Sequence, residues 1–584
     1  MERKPDNRLI PECAKAIYEG FLRYNENFTR ITTRAQRRFE QREWQGHRHD
    51  IIERVDLYEK SVRRIINFLT RRLGPRLTDH ALWNDLRWHY GQRIANMYDA
   101  GFMKTFFNSI TRRIFDTAGV DSRLEFISPA PDEGFNAVES LRLKRYPYWA
   151  SLEELFSEAL GDIRFNIPWA NLESDITFLA REVQKYVDIY LDEFGELLRI
   201  EFIDTVFYQS SRAYLIGRLV QDGHVSPLVL ALENADAGIC VDAALMEENE
   251  VSIVFSYTRS YFFADPNTVV GAVYFLHSIL PRKPIDELFT VLGRLRQGKT
   301  ERHRIFTNHL NATSDLFVHA EGDSGLVMLV FTLPSYDLVF KVIRDRFGPP
   351  KTIGRSDVIN KYRLVSRHDH AGRLIDTQEF LNLEFPADRF SRRLLDDLLS
   401  EAAETVHLDG DRLLFRHVYS ERRVRPLNLY LREVNRSAAE NAILDYGQAL
   451  RDLADTNIFP GDLLLKNFGV TRHGRVIFYD YDEVVLVTDC HFRELPEPRD
   501  DEELLSAESW YYVDERDVFP QEFISFLSLD KHLRELFTQV HGDLLQPEYW
   551  RDIRRRLLAG EVRLVVPYKR SGQPPASDSR RLPA

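Results

Sequence analysis

Cysteine is scarce in this 584-residue chain: there are three, Cys13, Cys240 and Cys490, far apart in the sequence. An odd, scattered set is neither a disulfide framework nor a Cys-x-x-Cys metal site, and it fits a reducing compartment. No arginine stands six residues after any of them, which removes the Cys-x5-Arg phosphatase loop. Long apolar runs are missing too. With no apolar stretch of about 18 residues, no membrane span is expected, and the opening residues are too polar for a secretory signal. The Asn-x-Ser/Thr triplets at Asn27, Asn311 and Asn435 therefore read as chance matches. Positive charge is not in excess. Lys and Arg number 78 against 90 Asp and Glu, a formal net charge of −12 that argues against a nucleic-acid binder. The one local basic cluster, Arg34, Arg37, Arg38 and Arg42, is interleaved with Glu40 and Glu43 and reads as a solvated helix face. Repeats and low-complexity blocks are lacking. A soluble, cytoplasmic protein with no nucleic-acid or membrane partner is expected.

What is present is a globular composition, 44% hydrophobic and 29% charged, with 38 Phe and 25 Tyr to fill large cores. The length exceeds what one core serves, so at least two domains are expected. Residues 1 to about 220 read as helices: Ile51, Val55, Tyr58 and Val62 recur at helical spacing, as do Val183, Tyr186, Val187 and Tyr190. A β-rich interlude follows, with strands at Pro227-Leu-Val-Leu-Ala-Leu, Ile239-Cys-Val and Val251-Ser-Ile-Val-Phe. Helical patterning then returns to about residue 310. From about 313 the character changes. Gly325-Leu-Val-Met-Leu-Val-Phe-Thr-Leu and Leu338-Val-Phe-Lys-Val-Ile, joined by Pro334-Ser-Tyr-Asp, predict a β-hairpin. Later, Ser437 with Glu440 reads as a capping box opening a helix with Ile443, Tyr446, Leu450 and Leu453 on one face. A second hairpin is expected around His473-Gly474. The fold class is α+β. A mostly helical domain with a small β element spans 1–312, a bilobal domain spans 313–568, and a disordered tail is expected over 569–584.

The second domain carries the chemistry. Phosphoryl transfer from ATP needs a cover over the phosphates, a lysine, a carboxylate near the acceptor hydroxyl, and Asn/Asp ligands for a divalent metal. Protein kinases supply these in a fixed order, and so does this chain. The cover is Ala320-Glu321-Gly322-Asp323-Ser324-Gly325, leading into a strand. Lys341 follows sixteen residues after Gly325, in a Val-Phe-Lys context like the kinase Val-Ala-Ile-Lys. A lysine there could equally guard a sheet edge. The stronger signal is downstream. Asp462 and Asn467 stand five apart, as in His-Arg-Asp-x-x-x-x-Asn, and Asp480 lies thirteen beyond Asn467 across a hairpin, where the metal-binding Asp belongs. A turn cap at Asp462 and a strand end at Asp480 explain each residue singly, but not the order of all four.

There are departures. Pro-Gly-Asp replaces His-Arg-Asp, Asp480-Tyr-Asp482 replaces Asp-Phe-Gly, and no Ala-Pro-Glu follows. The glutamate that kinases place on the helix after the lysine strand cannot be picked out of Ser356–His370. Asp480-Tyr-Asp482-Glu-Val also fits the Asp-x-Asp-x-Val start of a haloacid-dehalogenase-type phosphatase. As a separate domain that reading fails, because too little chain follows; it survives as a sign of an extra carboxylate, Asp482. An ATP-binding pseudokinase scaffold is the other alternative. The His368-Asp369-His370 cluster reads as a polar loop rather than a metal site.

Several longer runs carry a resemblance. Leu326-Val-Met-Leu-Val-Phe-Thr-Leu-Pro, Val339-Phe-Lys-Val-Ile, Asp376-Thr-Gln-Glu-Phe, Asn457-Ile-Phe-Pro-Gly-Asp, Lys466-Asn-Phe-Gly-Val-Thr-Arg-His-Gly-Arg and Phe478-Tyr-Asp-Tyr-Asp-Glu resemble the bacterial isocitrate dehydrogenase kinase/phosphatase family. So do Ala35-Gln-Arg-Arg-Phe-Glu, Phe106-Phe-Asn-Ser and Arg259-Ser-Tyr-Phe in the first half. The resemblance implies a bifunctional serine kinase and phosphoprotein phosphatase. It would inactivate and reactivate NADP-dependent isocitrate dehydrogenase, setting the branch between Krebs cycle and glyoxylate bypass, with ATPase activity besides. It implies ATP and Mg²⁺ (or Mn²⁺) as cofactors, AMP as allosteric effector at a site between the domains, and both activities in one site. The family's ATP loop falls on Ala320–Leu326, its ATP lysine on Lys341 and its active-site aspartate on Asp376. The loop here is more acidic than usual, so phosphate contacts from backbone N–H groups are expected. Catalytic roles are expected for Asp376, Asp462 and Asp482, and metal binding for Asn467 and Asp480. ATP, ADP, AMP and the dehydrogenase are the expected partners, and a homodimer is compatible with the sequence.

Overall fold

The computed structural model describes residues 8–128, 139–256, 262–323, 325–348, 353–368, 372–496 and 512–561, together with Val566 and Tyr568. Ser324, residues 259–261 of the Arg259 run, the Asp369–Ala371 part of the His/Asp cluster and the tail from 569 lie outside them. The chain divides into two compact units: Met1–Ser314 with Asn382–Phe385 and Val566–Arg580, and Asp315–Leu381 with Pro386–Val565 and Arg581–Ala584.

The first unit opens with helices α1 (Leu9–Thr32), α2 (Arg34–Glu40), α3 (Trp44–Leu73), α4 (His80–Ile94) and α5 (Ala100–Phe115). Their apolar faces meet in a core of Phe21, Tyr24, Tyr58, Phe102 and Phe106, whose rings pack largely edge to face. The basic cluster is not simply a solvated face. Arg34 and Arg38 both pair with the buried Asp50 of α3, which ties α2 to α3.

Next come β1 (Leu143–Pro147), α6 (Leu152–Gly161), α7 (Leu172–Phe194), β2 (Leu197–Gln209), β3 (Arg212–Gln221), β4 (His224–Ala235) and β5 (Gly238–Leu245). The strands form one antiparallel sheet in chain order. Two departures from the sequence expectation appear here. Residues 143–147 and 197–221, expected to be helical, are strands. The latter lack strict alternation because both faces are covered: along β4, Leu228, Leu230 and Leu232 enter one core while Val229 and Ala231 enter another. Val251-Ser-Ile-Val, expected to be a strand, lies in helix α8 (Glu248–Val254). Such a short β-branched run is ambiguous, and Glu248 and Glu250 in the first turn favour the helix. Helices α9 (Val269–Ile279), α10 (Ile285–Val291) and α11 (Leu295–Ala312) complete the unit.

A six-stranded sheet is made of β6 (Val318–His319), β7 (Met328–Thr332), β8 (Leu338–Ile343), β9 (Gln378–Pro386), β10 (Val406–Asp409) and β11 (Arg412–Arg422). The order is β10-β11-β8-β7-β6, with β9 also on β11. The expected hairpin is β7–β8, in register from Met328↔Ile343 to Thr332↔Val339. Phe317, Phe331, Phe340, Phe390 and Phe415 stack on one face of it. Helices α12 (Arg355–His368) and α13 (Arg392–Glu401) lie between these strands in the chain. After β12 (Arg425–Pro426) and α14 (Leu427–Glu433) comes α15 (Arg436–Asp455). Its N-cap is Asn435, whose side chain accepts from Ala438 N–H, rather than Ser437. Glu440 is engaged instead by Arg436 and His532. The short hairpin β13 (Phe468–Val470) and β14 (Val476–Phe478) turns at Gly474 (φ 74°), and α16 (Lys531–His541) and α17 (Pro547–Leu558) close the core around Trp550. No helix of the described residues is long and apolar enough to cross a membrane.

Candidate active site

Lys341 lies on β8, which has β11 on one side and β7 on the other. It is therefore not an edge guard. Its side chain is buried, 5% exposed, so the ammonium must find partners. It lies 2.7 Å from Glu421 Oε2 and donates to the Tyr479 carbonyl at 2.7 Å. Glu421 stands on β11 opposite Val339 of β8 and is 1% exposed. Its other oxygen accepts from the Thr377 hydroxyl at 2.8 Å. Burial pushes the Glu421 carboxyl above its ordinary range, while Lys341 and Thr377 pull it back.

Glu421 thus pairs with Lys341 from a strand, where kinases use a helix glutamate, and sequence reasoning missed it. No local signal marks it, because the pairing is made by strand register with a residue far away in the chain. Helix α12, where the glutamate was sought, contacts the site differently. Tyr362 stacks on Tyr419 at 4.2 Å and meets the ring of Tyr481 at 5.1 Å. Lys361 donates to the carbonyl of Asp482 at 2.8 Å.

The loop after α15 is shaped by two residues with positive φ, Asn457 (66°) and Gly461 (81°). Asp462 does cap its turn, accepting Leu464 N–H at 2.9 Å. Tyr446 of α15 donates to the Leu463 carbonyl at 2.7 Å, and Asn467 Nδ2 donates to the Asp462 carbonyl at 3.4 Å. The loop is pinned at both ends. Across the hairpin, Tyr479 N–H donates to the Asn467 carbonyl at 3.1 Å. One residue, Tyr479, therefore joins the Lys341 ammonium to the Asn467 loop, and Asp480 is next to it. Burial raises the Tyr479 phenol, and the nearby charges of Asp480, Glu421 and Asp323 add to that.

Tyr481, where kinases have Phe, is fully buried and donates to the Ile375 carbonyl at 2.9 Å. Asp482 is buried as well. Asp376 is buried, and Gln378 Nε2 donates to both of its oxygens at 3.1 and 2.9 Å. The chain leading to it runs parallel to β14, with Leu374 opposite Phe478. Lys341, Asn467, Asp480 and the Asp376 segment are thus brought together, with Asp462 one hydrogen bond away from Asn467.

The loop Ala320–Leu326 is anchored at Ala320, whose N–H donates to the Val330 carbonyl at 3.0 Å. Glu321 pairs with Arg425, which also pairs with Glu433, so part of the loop's acidity is neutralised. Gly322 has φ 116°, Asp323 and Gly325 are exposed, and Leu326 is 47% exposed. The aspartyl-phosphatase alternative does not fit: Asp480 follows the short β14 of an antiparallel three-stranded sheet, not a strand of a parallel α/β domain. Among the described residues no group of three or more His, Cys, Asp or Glu is placed to hold a metal.

Comparison with known proteins is consistent along the chain. Residues 315–570 match the family model described as isocitrate dehydrogenase kinase/phosphatase (AceK) kinase domain, and residues 14–314 match that of the regulatory domain. A protein of Anaeromyxobacter sp. (strain Fw109-5) named isocitrate dehydrogenase kinase/phosphatase is 46% identical over 566 residues, covering 96% of this chain and 98% of that one. One of the same name from Xanthomonas campestris pv. campestris (strain 8004) is 46% identical over 560 residues, 95% of this chain and 96% of the other. A third, from Anaeromyxobacter dehalogenans (strain 2CP-C), is 44% identical over 575 residues, 96% and 97% of the two chains.

Proposed function

The chain belongs to the isocitrate dehydrogenase kinase/phosphatase family, and from that premise we propose that it reversibly phosphorylates a serine of NADP-dependent isocitrate dehydrogenase in one kinase-like site. The observation that carries this reading is the buried Lys341–Glu421 pair joined through Tyr479 to Asn467 and Asp480. ATP lies under Ala320–Leu326 with Lys341 on its α/β-phosphates. Asp462 orients the serine hydroxyl. Asn467 and Asp480 offer hard oxygen donors, and with Asn467 Nδ2 on the Asp462 carbonyl the amide oxygen is the end left for a cation. That set fits Mg²⁺, which takes one or two protein ligands and completes its shell with phosphates and water. Bound there, Mg²⁺ would neutralise charge on the transferring phosphoryl group.

For dephosphorylation, Asp376 and Asp482 place the water or the returning phosphoryl group. AMP acts as effector, and the enzyme works in the cytoplasm. The test is incubation of isocitrate dehydrogenase with labelled ATP, then a chase with and without AMP. Asp480→Asn is expected to abolish labelling, and Asp376→Ala and Asp482→Ala to change the ratio of label removal to label transfer. Full labelling by the Asp480 variant, or an unchanged ratio in both others, would overturn the respective assignment. A pseudokinase scaffold would consume no ATP in the same assay.

A further inference from the structure

The segment that carries Asp376 and the hairpin strand that leads to Asp480 are joined by one arginine. Arg373 is 4% exposed and donates four hydrogen bonds. Nε reaches Asp452 Oδ2 at 2.7 Å, and Nη1 and Nη2 reach Asp445 Oδ2 and Oδ1 at 2.7 and 2.9 Å. Nη1 also donates to the Val476 carbonyl at 2.9 Å. Asp445 closes the ring by accepting Val476 N–H at 2.6 Å. Both carboxylates stand on α15, the helix that feeds the Asp462 loop. The backbone repeats the link, since Phe478 N–H donates to the Arg373 carbonyl at 2.7 Å and Ile375 N–H to the Phe478 carbonyl at 3.2 Å.

These bonds fix a register. Leu374 pairs with Phe478 in parallel, so Asp376 and Asp480 each stand two residues further along their own segment. A slip by one residue would move one carboxylate by roughly 3.3 Å and turn it to the opposite face. Two backbone bonds alone are a weak guard against this. The guanidinium supplies the rest, because its planar fork is held by a helix outside the pairing. Burial disfavours the charge, and Asp452 and Asp445 more than restore it, so Arg373 stays cationic at every working pH.

We propose that Arg373 is a positioning residue that sets Asp376 against Asp480, resting on the site assignment above. A displacement of about 1 Å costs on the order of 100-fold in a positioned reaction, whereas the nucleotide is gripped by Lys341 on another strand. Loss of Arg373 therefore lowers turnover and leaves nucleotide affinity nearly unchanged.

The experiment uses the full chain and isocitrate dehydrogenase as substrate. Arg373→Lys keeps the charge but cannot span both carboxylates and the Val476 carbonyl. It is expected to lower kcat for phosphorylation and for dephosphorylation by about 100-fold, with KM for ATP within about twofold. A second variant, Arg373→Met with Asp445→Asn and Asp452→Asn, removes the whole charged cluster. It leaves no buried charge without its partner, the costly state that a single substitution would create, so its unfolding midpoint should lie closer to that of the parent while kcat stays low. Recovery of kcat together with the midpoint, or parental kcat in Arg373→Lys, would overturn the proposal. Asp480→Asn is run alongside. If it is inactive while Arg373→Lys is normal, only the positioning role fails; if it is fully active, the site assignment falls and takes this inference with it.

Discussion

Glu421→Ala tests the link on which the site assignment leans hardest. In the folded protein the Lys341 ammonium has Glu421 at 2.7 Å and one carbonyl, and both side chains are almost wholly buried. At an effective dielectric of about 20, two charges at that distance attract by roughly 6 kcal/mol. Much of this is offset by the desolvation of both groups, and removing one partner of a buried pair costs about 3–5 kcal/mol. The lower end is expected here, about 3 kcal/mol, because the Tyr479 carbonyl remains. At about 2–4 °C per kcal/mol for a unit of this size, the unfolding midpoint should fall by about 6–12 °C. On the proposed assignment the lysine also loses its aim, so KM for ATP should rise by about tenfold, equivalent to about 1.4 kcal/mol. Thermal unfolding followed by tyrosine fluorescence, and initial rates of label transfer against ATP concentration, measure the two effects. A midpoint shift under about 2 °C with unchanged KM would refute the reasoning. The pair also has a pH signature. Burial holds the Glu421 carboxyl above its ordinary value of 4.5, so the folded state keeps the proton longer than the unfolded chain. Its contribution is greatest below 4.5 and is lost as pH rises through the raised value, a slope that Glu421→Gln should abolish.

Two further perturbations probe the frame around the site. Gly461→Ala places a Cβ 2.4 Å from the Glu483 carbonyl at a residue with φ 81°, so the Asp462 loop must shift. A loss of about 2 kcal/mol and of most label transfer is expected, whereas Gly474→Ala, at φ 74° in open space, should cost about 1 kcal/mol and leave transfer intact. Equal effects in rate assays of the two variants would contradict this. In the first unit, burial lowers the His47 imidazole from 6.5 to about 4, so the unfolded chain binds its proton first on acidification. That contribution is present above 6.5 and is lost as pH falls towards 4, about 3 kcal/mol in all. His47→Gln should flatten this part of the stability profile measured by denaturant titration; an unchanged slope would assign it to other groups.

The readable and unreadable parts of the sequence differ in what fixes them. The loop and hairpin that carry Asp462, Asn467 and Asp480 could be read because their spacing is set locally. The strand placement of Lys341 could be read because it interrupts an apolar run. Glu421 could not, since its meaning comes from strand register, and neither could β2 and β3, whose two covered faces erase the alternation that marks a strand. The helix cap was misplaced by two residues because Asn435, Ser437 and Glu440 all suit a helix start, and His532, distant in sequence, decides what Glu440 does.

The position of Glu421 has a consequence for how such a site is controlled. In kinases whose lysine pairs with a helix glutamate, moving that helix breaks the pair. Here both members stand on adjacent strands, with Tyr419 opposite Lys341 in the ladder, so the pair survives any displacement that leaves the sheet intact. Helix α12 touches the site through Tyr362 on Tyr481 and Lys361 on the Asp482 carbonyl. A movement of α12 would therefore act on the Asp480–Asp482 segment and, through the Tyr362–Tyr419 stack, on the strand beside Lys341. The residues it would disturb include those proposed for the metal and for dephosphorylation, while the Lys341–Glu421 pair itself stays held by the sheet.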